Sequence, residues 1–287
     1  PEMRTKFSKN SLKQPELMIL NNILLQRRKD LEELKERMPL HRLQRIVEKN
    51  LPPDIRPFRQ AITGTKHLNI IAELKKESPS AGVLRQDFQP LRLAALFEYA
   101  GAAAISVLTE PHFFKGRSSY LKTVRQVTKL PLLRKDFIFE RYQLYESALL
   151  EADAFLLIAS LLTEQELQEL LSLGKELHMD ALVEVHTDED LKKAIDAGAS
   201  IIGVNNRNLR TLEVDPDRAQ HLIPHIPKEA TIVVESGLST HDELLRYKTL
   251  GASAFLVGST LMRSKDVVGT LQKLIGKKGA SLVEGSA

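Results

Sequence analysis

The sequence predicts an α/β protein, specifically a (β/α)8 (TIM) barrel with an N-terminal helical extension. Eight short apolar runs lie between residues 68 and 257, and most of them end in a polar residue. Segments with helical spacing separate these runs, and such an alternation of strands and helices gives a parallel sheet. Eight units allow the sheet to close, and polar groups at one end of all strands are typical of a barrel mouth.

The composition fits a barrel of this size and excludes several kinds of site. With 287 residues, 43% of them hydrophobic, the chain can form one barrel of about 250 residues plus an extension. Its 41 Lys and Arg against 37 Asp and Glu leave a net charge of +4, too weak to indicate nucleic-acid binding. That charge fits a protein that binds a small polyanion. The absence of cysteine rules out disulfides, thiolate metal sites and cysteine nucleophiles.

No part of the sequence indicates a membrane protein. No apolar run approaches the ~18 residues of a membrane helix, and no signal peptide is visible. We therefore expect a cytoplasmic protein with no membrane partner. The chain begins at Pro1 rather than Met, so a plastid location after removal of a targeting segment stays open.

Residues 1–62 differ from the rest and are interpreted as a helical extension packed on the barrel. Helical spacing runs over residues 14–38 and again over residues 41–49, where Pro52 and Pro53 end the pattern. Residues 58–62 predict one more short turn of helix. A solvated amphipathic arm is the alternative. Residues 63–276 are assigned to the catalytic barrel and residues 277–287 to a C-terminal tail.

The barrel strands and the helix boundaries between them have separate signals. The strands are almost continuous apolar runs, as parallel strands covered on both faces should be. Three capping boxes and three C-terminal glycines mark helix ends: Thr163 with Glu166, Thr187 with Asp190, Thr240 with Glu243, Gly101, Gly198 and Gly251. An open doubly wound sheet is the alternative, which the lack of a Gly-x-Gly-x-x-Gly motif after the first strand disfavours.

Charged residues end the first and third barrel strands. Glu73 and Lys75 alternate along the first strand end, so both can face the barrel axis, where burying either alone is costly. Lys135 follows an apolar strand, and desolvation there would lower its pKa and suit it to acid catalysis or imine formation. Arg134 and Asp136 should point to the other side. Ion pairing without catalysis is the alternative for both lysines.

Polar groups also end the fifth and sixth barrel strands. Glu184 is an inward carboxylate that could act as a general base, with its pKa raised by burial or held down by Lys135. His186 is interpreted as a packed or exposed loop histidine. Asn205 and Arg207 can bind hydroxyls or a carboxylate, and a turn of polar residues is the alternative.

The last two barrel strands end in small residues. Glu235, Ser236 and Gly237 end the seventh strand, and Gly258 and Ser259 end the eighth. Barrels frequently bind phosphate at these two adjacent loops because backbone N–H groups are exposed there. Tight turns without a ligand are the alternative.

The first two loops and the third strand end add a predicted lid and aromatic side chains. Residues 78–82 are rich in turn formers and could act as a lid. Phe113, Phe114 and Phe137 near one mouth suggest an aromatic ring in the substrate, and rim packing explains any one of them equally well.

Seven segments together resemble the indole-3-glycerol-phosphate synthase family over about residues 68–276. They are IAELKKESPSAG, ISVLTEPHFFKG, LPLLRKDFI, ALVEVHT, IIGVNNRNL, VVESGLS and FLVGSTLM, in the family's order and spacing. The resemblance implies ring closure of 1-(2-carboxyphenylamino)-1-deoxyribulose 5-phosphate to indole-3-glycerol phosphate, with loss of CO2 and water. It implies a lyase of tryptophan biosynthesis that needs no cofactor and no metal.

The resemblance also implies residue roles. Lys135 matches the general acid of ring closure, and Glu184 matches a carboxylate that assists dehydration. The other matching residues are Glu73 (an essential carboxylate), Lys75 (a second lysine, and a candidate acid in the dehydration), Ser78, Asn205 and Arg207 (the anthranilate carboxylate), Phe114 and Phe137 (the aromatic ring), and Ser236, Gly237, Gly258 and Ser259 (the phosphate). Glu235 is expected to bind substrate together with Ser236. Which lysine acts in which step stays open.

The sequence departs from the family pattern at two positions. Three other functions are alternatives to the one that the resemblance implies. Ala81 stands where the family commonly has a basic residue, and Glu77 replaces a small residue, which puts loop closure and the tuning of Lys75 in doubt. Phosphoribosylanthranilate isomerase has similar phosphate loops but uses a cysteine base. A Schiff-base aldolase would use Lys135, and a non-catalytic barrel would bind a metabolite or a partner enzyme. We expect a monomer, with association with other tryptophan-pathway enzymes left open.

Overall fold

The computed structural model describes residues 14–50, 56–64, 67–209 and 211–277. Its strands are β1 (Asn69–Leu74), β2 (Glu77–Ser78), β3 (Gly82–Val83), β4 (Ala104–Leu108), β5 (Leu132–Lys135), β6 (Ala154–Ile158), β7 (Asp180–Val185), β8 (Ile201–Asn205), β9 (Thr231–Glu235) and β10 (Ala254–Val257). Strands β2 and β3 form a small antiparallel hairpin, and the other eight close into a parallel barrel in chain order. The predicted (β/α)8 barrel is therefore confirmed.

Helices precede the barrel and connect its strands. They are α1 (Gln14–Arg37), α2 (Leu40–Lys49), α3 (Phe58–Ala61), α4 (Pro90–Ala100), α5 (Ser119–Arg125), α6 (Arg141–Leu149), α7 (Glu164–Glu176), α8 (Asp188–Asp196), α9 (Asp217–Leu222), α10 (His241–Leu250), α11 (Ser259–Arg263) and α12 (Val267–Ile275). None of the helices in the described ranges combines the length and apolarity that a membrane crossing requires.

Two apolar clusters hold the barrel together, and the alternation of the strands produces both. Side chains of one parity, such as Ile71, Leu133 and Leu182, fill the barrel interior. Side chains of the other parity, such as Val107 and Phe155, pack beneath the surrounding helices. Because both faces are covered, these strands are buried along almost their whole length, and each buried large apolar side chain contributes about 1.5–3 kcal/mol.

The predicted helix boundaries are found in the structure. The capping boxes at Thr163, Thr187 and Thr240 all form, and each side chain accepts a hydrogen bond from the third residue of its helix. The predicted glycines take positive φ angles of 98° at Gly101, 81° at Gly198 and 116° at Gly251, where glycine lacks the steric cost of a Cβ. A capping box at Glu140 was not predicted.

Helix α1 lies against the mouth of the barrel. Its Leu20 and Ile23 are buried in the interior cluster together with Phe137. Further along the helix, Leu31 is buried with Leu43 of α2 in the outer cluster. The predicted helix end at residues 52 and 53 and most of the predicted tail lie outside the described residues. The domain boundaries at residues 62 and 276 stay a prediction.

Candidate active site

A cavity of 340 Å³ opens at the carboxyl ends of the barrel strands. Nearly all residues that the sequence predicted for the site line it: Glu73, Lys75, Ser78, Phe114, Lys135, Phe137, Glu184, Asn205, Arg207, Glu235, Ser236, Gly237, Gly258 and Ser259. Phe113, the third aromatic residue considered near the mouth, is not part of the lining. Sequence reasoning did not place Ile19, Leu20 and Ile23 of α1 or Arg263 of α11 in this cavity, where they also lie. The apolar spacing of α1 was visible, but nothing in it showed which part of the barrel it would cover.

Four charged side chains form one layer across the cavity floor. Glu73, Lys135, Glu184 and Glu235 come from β1, β5, β7 and β9, which are alternate strands of the barrel. Lys135 Nζ lies 2.9 Å from Glu235 Oε2 and 3.4 Å from Glu184 Oε2. A lysine held between carboxylates in this way can exchange protons with each of them and with a bound substrate.

The charge state of Lys135 corrects one expectation. Burial acts to lower the pKa of Lys135, as the apolar strand suggested, but the attraction of Glu235, Glu184 and Glu73 outweighs it and raises the pKa above its ordinary value. The lysine is therefore an ammonium group throughout the neutral range. It suits proton donation, whereas imine formation requires a neutral amine.

Glu235 is one of three carboxylates that lie around a single lysine. Burial raises the pKa of Glu235 to about 7, and repulsion by Glu184 and Glu73 adds to this effect while Lys135 opposes it. Within the described ranges, Glu235 Oε1 has no hydrogen-bond partner. Glu235 can thus gain or lose a proton near neutral pH, which sequence reasoning did not predict because the pairing depends on strands 100 residues apart.

The raised pKa of Glu235 predicts a pH dependence of stability. Because folding raises this pKa from 4.5 to about 7, the contribution of Glu235 to stability is complete below about pH 4.5 and is lost as the pH rises through about 7. We expect the melting temperature of the wild type to fall more between about pH 5 and 8 than that of Glu235→Gln, as measured by circular dichroism. Glu176→Gln, a change at an exposed position of α7, is the control. If the melting temperatures of wild type and Glu235→Gln changed equally with pH, this would contradict the raised pKa of Glu235.

Glu73 and Lys75 form a close ion pair at the cavity edge. Lys75 Nζ lies 2.5 Å from Glu73 Oε2. Burial would raise the pKa of Glu73, but Lys75 and Lys135 together lower it, so Glu73 is a carboxylate. A Cβ on Gly258 would lie only 2.0 Å from the same oxygen. Glycine at this position therefore leaves room for the Glu73 carboxylate.

Hydrogen bonds orient Glu184 from the neighbouring strand. Asn205 Nδ2 donates to Glu184 Oε1 at 2.9 Å, and the backbone N–H of Arg207 donates to Asn205 Oδ1 at 2.9 Å. The Nδ1 atom of His186 lies 2.8 Å from the Asn205 carbonyl oxygen. His186 is thus a packed loop histidine, as interpreted from the sequence. The other carboxylate oxygen of Glu184 is the one that faces Lys135.

Small residues at the ends of β9 and β10 come together because these strands are neighbours in the barrel. Ser236 and Gly237 have positive φ angles of 66° and 74°. Gly258 and Ser259 follow the adjacent strand β10, where Gly258 is the N-cap of α11 and Ser259 its first residue. The two loops line one end of the cavity together, as the sequence predicted.

The opposite wall of the cavity is apolar and aromatic. The ring centroids of Phe114 and Phe137 lie 6.2 Å apart. Glu110 holds the Phe114 segment, since its carboxylate accepts from the backbone N–H groups of His112, Phe113 and Phe114 at 2.9, 2.7 and 2.9 Å. Such a wall can accept a flat ring.

The predicted lid begins as the β2–β3 hairpin. Glu77 pairs with Val83, and Ser78 pairs with Gly82. Ser78 is buried and lines the cavity together with the exposed Ala81. Closure of this segment over a ligand stays a prediction.

The charged groups of the two residues that flank Lys135 bond to each other outside the charged layer, as expected, although Asp136 also borders the cavity. Arg134 is 1% exposed and bonds to Asp136, Glu146 and Ser147 on the helix side of the sheet. Among the described residues, no group of three or more His, Asp or Glu side chains is arranged to hold a metal ion.

The fold and the site define a class of protein: a (β/α)8-barrel enzyme whose cavity holds a layer of charged side chains between an aromatic wall and two loops of small residues. Within this class, the chain belongs to the indole-3-glycerol phosphate synthase family, whose model matches residues 20–274. It is a carboxy-lyase of tryptophan biosynthesis.

Curated relatives support this membership over nearly the whole chain. The indole-3-glycerol phosphate synthase of Campylobacter jejuni (strain 81116) is 46% identical over 260 residues, which cover 90% of this chain and 100% of that protein. The enzymes of the same name from Aliarcobacter butzleri and Dehalococcoides mccartyi are 44% and 45% identical, and cover 89% and 90% of this chain and 98% and 100% of their own lengths.

Solved structures with low sequence identity share the fold alone. The 3-hexulose-6-phosphate synthase from Salmonella typhimurium has a TM-score of 0.60 at 15% identity, covering 73% of this chain and 97% of that one. KGPDC from Streptococcus mutans has a TM-score of 0.57 at 15% identity, covering 73% and 96%.

Proposed function

We propose that the charged layer divides the proton transfers of indole-3-glycerol phosphate formation among its members, with Lys135 as the general acid of ring closure. The observation that carries this proposal is the position of the Lys135 ammonium group, within 3.4 Å of both Glu184 and Glu235 at the cavity floor. Its raised pKa keeps this group protonated at neutral pH. The small phosphorylated substrate fills the cavity above it.

In the first step, the aromatic carbon that bears the carboxylate attacks the ketone carbon of the substrate. A carbon–carbon bond forms, and the ketone oxygen takes a proton from Lys135 to become a hydroxyl group. CO2 then leaves, and its bonding electron pair returns to the ring, which regains aromaticity. Lys135 can recover its proton through Glu235, which titrates near neutral pH.

In the second step, the new hydroxyl group leaves as water. This requires a proton donor at the hydroxyl oxygen and a base that removes a proton from the carbon next to the ring nitrogen. The carbon–carbon double bond of the new five-membered ring then forms, and the indole is complete. Glu184 on one side of the layer and the Glu73–Lys75 pair on the other supply these groups. Their carboxylates are held by Asn205 and Lys75, respectively.

Binding groups stand at the two ends of the cavity. Ser78, Asn205 and Arg207 hold the substrate carboxylate, and Phe114 and Phe137 contact its aromatic ring. The phosphate site consists of Ser236, Gly237, Gly258 and Ser259, at the loops of β9 and β10. Glu235, whose Oε2 atom lies 2.9 Å from Lys135 Nζ, also contacts the substrate. A monomer in the cytoplasm is part of the same proposal.

Turnover of the carboxyphenylamino-deoxyribulose phosphate tests this proposal. The chain contains no tryptophan, so indole absorbance and fluorescence come from product alone. We expect both signals to rise without added metal or cofactor, and no covalent adduct after borohydride treatment with substrate. A ligand that raises the melting temperature without any indole signal would instead indicate a barrel that only binds it. A borohydride-trapped adduct would favour Schiff-base chemistry.

A further inference from the structure

We propose that Arg27 of α1 is a positioning residue for this reaction. Through Asp136, Arg27 fixes the end of β5, which carries Lys135, and the start of the following loop, which carries Phe137. This inference rests on the proposed role of Lys135 as general acid. It assigns Arg27, which lies outside the barrel and does not line the catalytic cavity, to the alignment of the acid.

Arg27 and Asp136 form a buried, two-bond ion pair. Arg27 Nε lies 3.0 Å from Asp136 Oδ1, and Arg27 Nη2 lies 3.0 Å from Asp136 Oδ2. The two residues are 5% and 2% exposed. Two parallel charge-assisted bonds in a buried site fix both the distance and the orientation of the carboxylate.

Asp136 in turn bonds to three further groups. Thr109 at the end of β4 donates to Asp136 Oδ2 at 2.6 Å, and Arg134 Nη2 lies 3.1 Å from the same oxygen. The backbone N–H of Phe137 donates to Asp136 Oδ1 at 2.9 Å. One carboxylate thus joins α1, two barrel strands and the start of the following loop.

The side chains around the end of β5 lie on two different sides of the barrel wall. Lys135 and Phe137 flank Asp136 in sequence and line the cavity. Arg134 and Asp136 bond to each other on the helix side, whereas Leu133 and Phe137 lie in the interior cluster. A fixed Asp136 on the helix side therefore holds Lys135 and Phe137 towards the substrate side.

Charge balance makes Arg27 necessary for this arrangement. Arg134 is shared with Glu146, which lies 2.7 Å from its Nη2 atom. Arg27 is shared with Asp30, one turn further along α1, at 3.0 Å. Without Arg27, Asp136 would share a single guanidinium with Glu146, and the strand end would lose its buried ion pair with α1.

A second, weaker connection reaches the other half of the aromatic wall. Asp30 lies 3.0 Å from His112 Nε2, two residues before Phe114. His112 has a side chain that is 41% exposed, so this contact contributes little compared with the buried pair. We therefore place the positioning role on Arg27.

The test compares Arg27→Ala with a matched variant on the same helix. Arg37 pairs with Glu33 at 3.7 Å, and both side chains are mostly exposed, so Arg37→Ala is the control. Well below the melting temperature, we expect Arg27→Ala to lower kcat about 10- to 100-fold, as for a misplaced catalytic group. Arg37→Ala should stay within about twofold of wild type.

Three further measurements separate positioning from simple stabilisation. Arg27→Lys keeps the charge but not the paired bonds, and should recover only part of kcat. Methylguanidinium should raise kcat of Arg27→Ala, because a cavity lined by Arg27 and Asp136 lies beside the pair. The kcat of the double variant Arg27→Ala/Asp136→Asn should be no lower than the kcat of Asp136→Asn alone, because both changes break the same ion pair.

The results for Arg27→Ala test the positioning role, and the results for Lys135→Ala test the proposed function. An Arg27→Ala protein with a lower melting temperature but wild-type kcat would overturn the positioning role, as would an increase in KM alone. An active Lys135→Ala protein would instead overturn the assignment of the general acid. If Lys135→Ala is inactive and Arg27→Ala is fully active, only the inference about Arg27 is overturned.

Discussion

Replacing Lys135 by alanine is expected to lower kcat by ~10²-fold or more, as loss of a general acid should. The ammonium group that protonates the ketone oxygen is then absent, while the phosphate loops and the aromatic wall are unchanged. Substrate should therefore still raise the melting temperature of the variant. Indole fluorescence measures the loss of turnover, and thermal unfolding with and without substrate measures binding.

Two controls accompany the Lys135 variant. Lys192 pairs with Asp196 on the exposed face of α8, and Lys192→Ala should leave turnover unchanged because surface pairs contribute little. Removing Lys135 also leaves Glu73, Glu184 and Glu235 with less positive charge nearby. Circular dichroism must therefore show that the variant is folded at the assay temperature. Turnover close to wild type in a folded Lys135→Ala protein would contradict its role as the acid.

The second large effect is expected for Glu184→Gln. Glutamine has nearly the same shape, and its amide oxygen can still accept from Asn205 Nδ2. The change therefore removes the charge and the proton-transfer capacity while the geometry is kept. We expect indole formation to fall by ~10²-fold, the usual contribution of a positioned acid or base.

The step that fails identifies the role of Glu184. If this residue serves the dehydration, CO2 release in a single turnover should run ahead of indole formation in Glu184→Gln, and the two should coincide more closely in wild type. Glu189→Gln, an exposed change on the helix after β7, is the matched control. Equal slowing of CO2 release and indole formation would place Glu184 in ring closure instead.

The sequence alone predicted the barrel, several helix boundaries and the polar residues at the strand ends that line the cavity, but not the contribution of α1 to that lining. These predictions depend on local patterns: apolar runs of strand length, capping boxes such as that at Thr240, and glycines such as Gly251. They also depend on topology, because parallel strands joined by helices must place their carboxyl ends on one side. Residues such as Glu73 and Ser259 could therefore be assigned to one mouth although they are far apart in the chain.

Only the tertiary structure decided how the charges in that mouth interact. The apolar strand before Lys135 suggested a lowered pKa, but three carboxylates from other strands reverse the direction. The raised pKa of Glu235 and the pairing of Arg27 with Asp136 have no local signal either. Local pattern determines which elements form and which way their side chains point. Electrostatic energies depend on distances between side chains of different elements, and only the folded chain sets those distances.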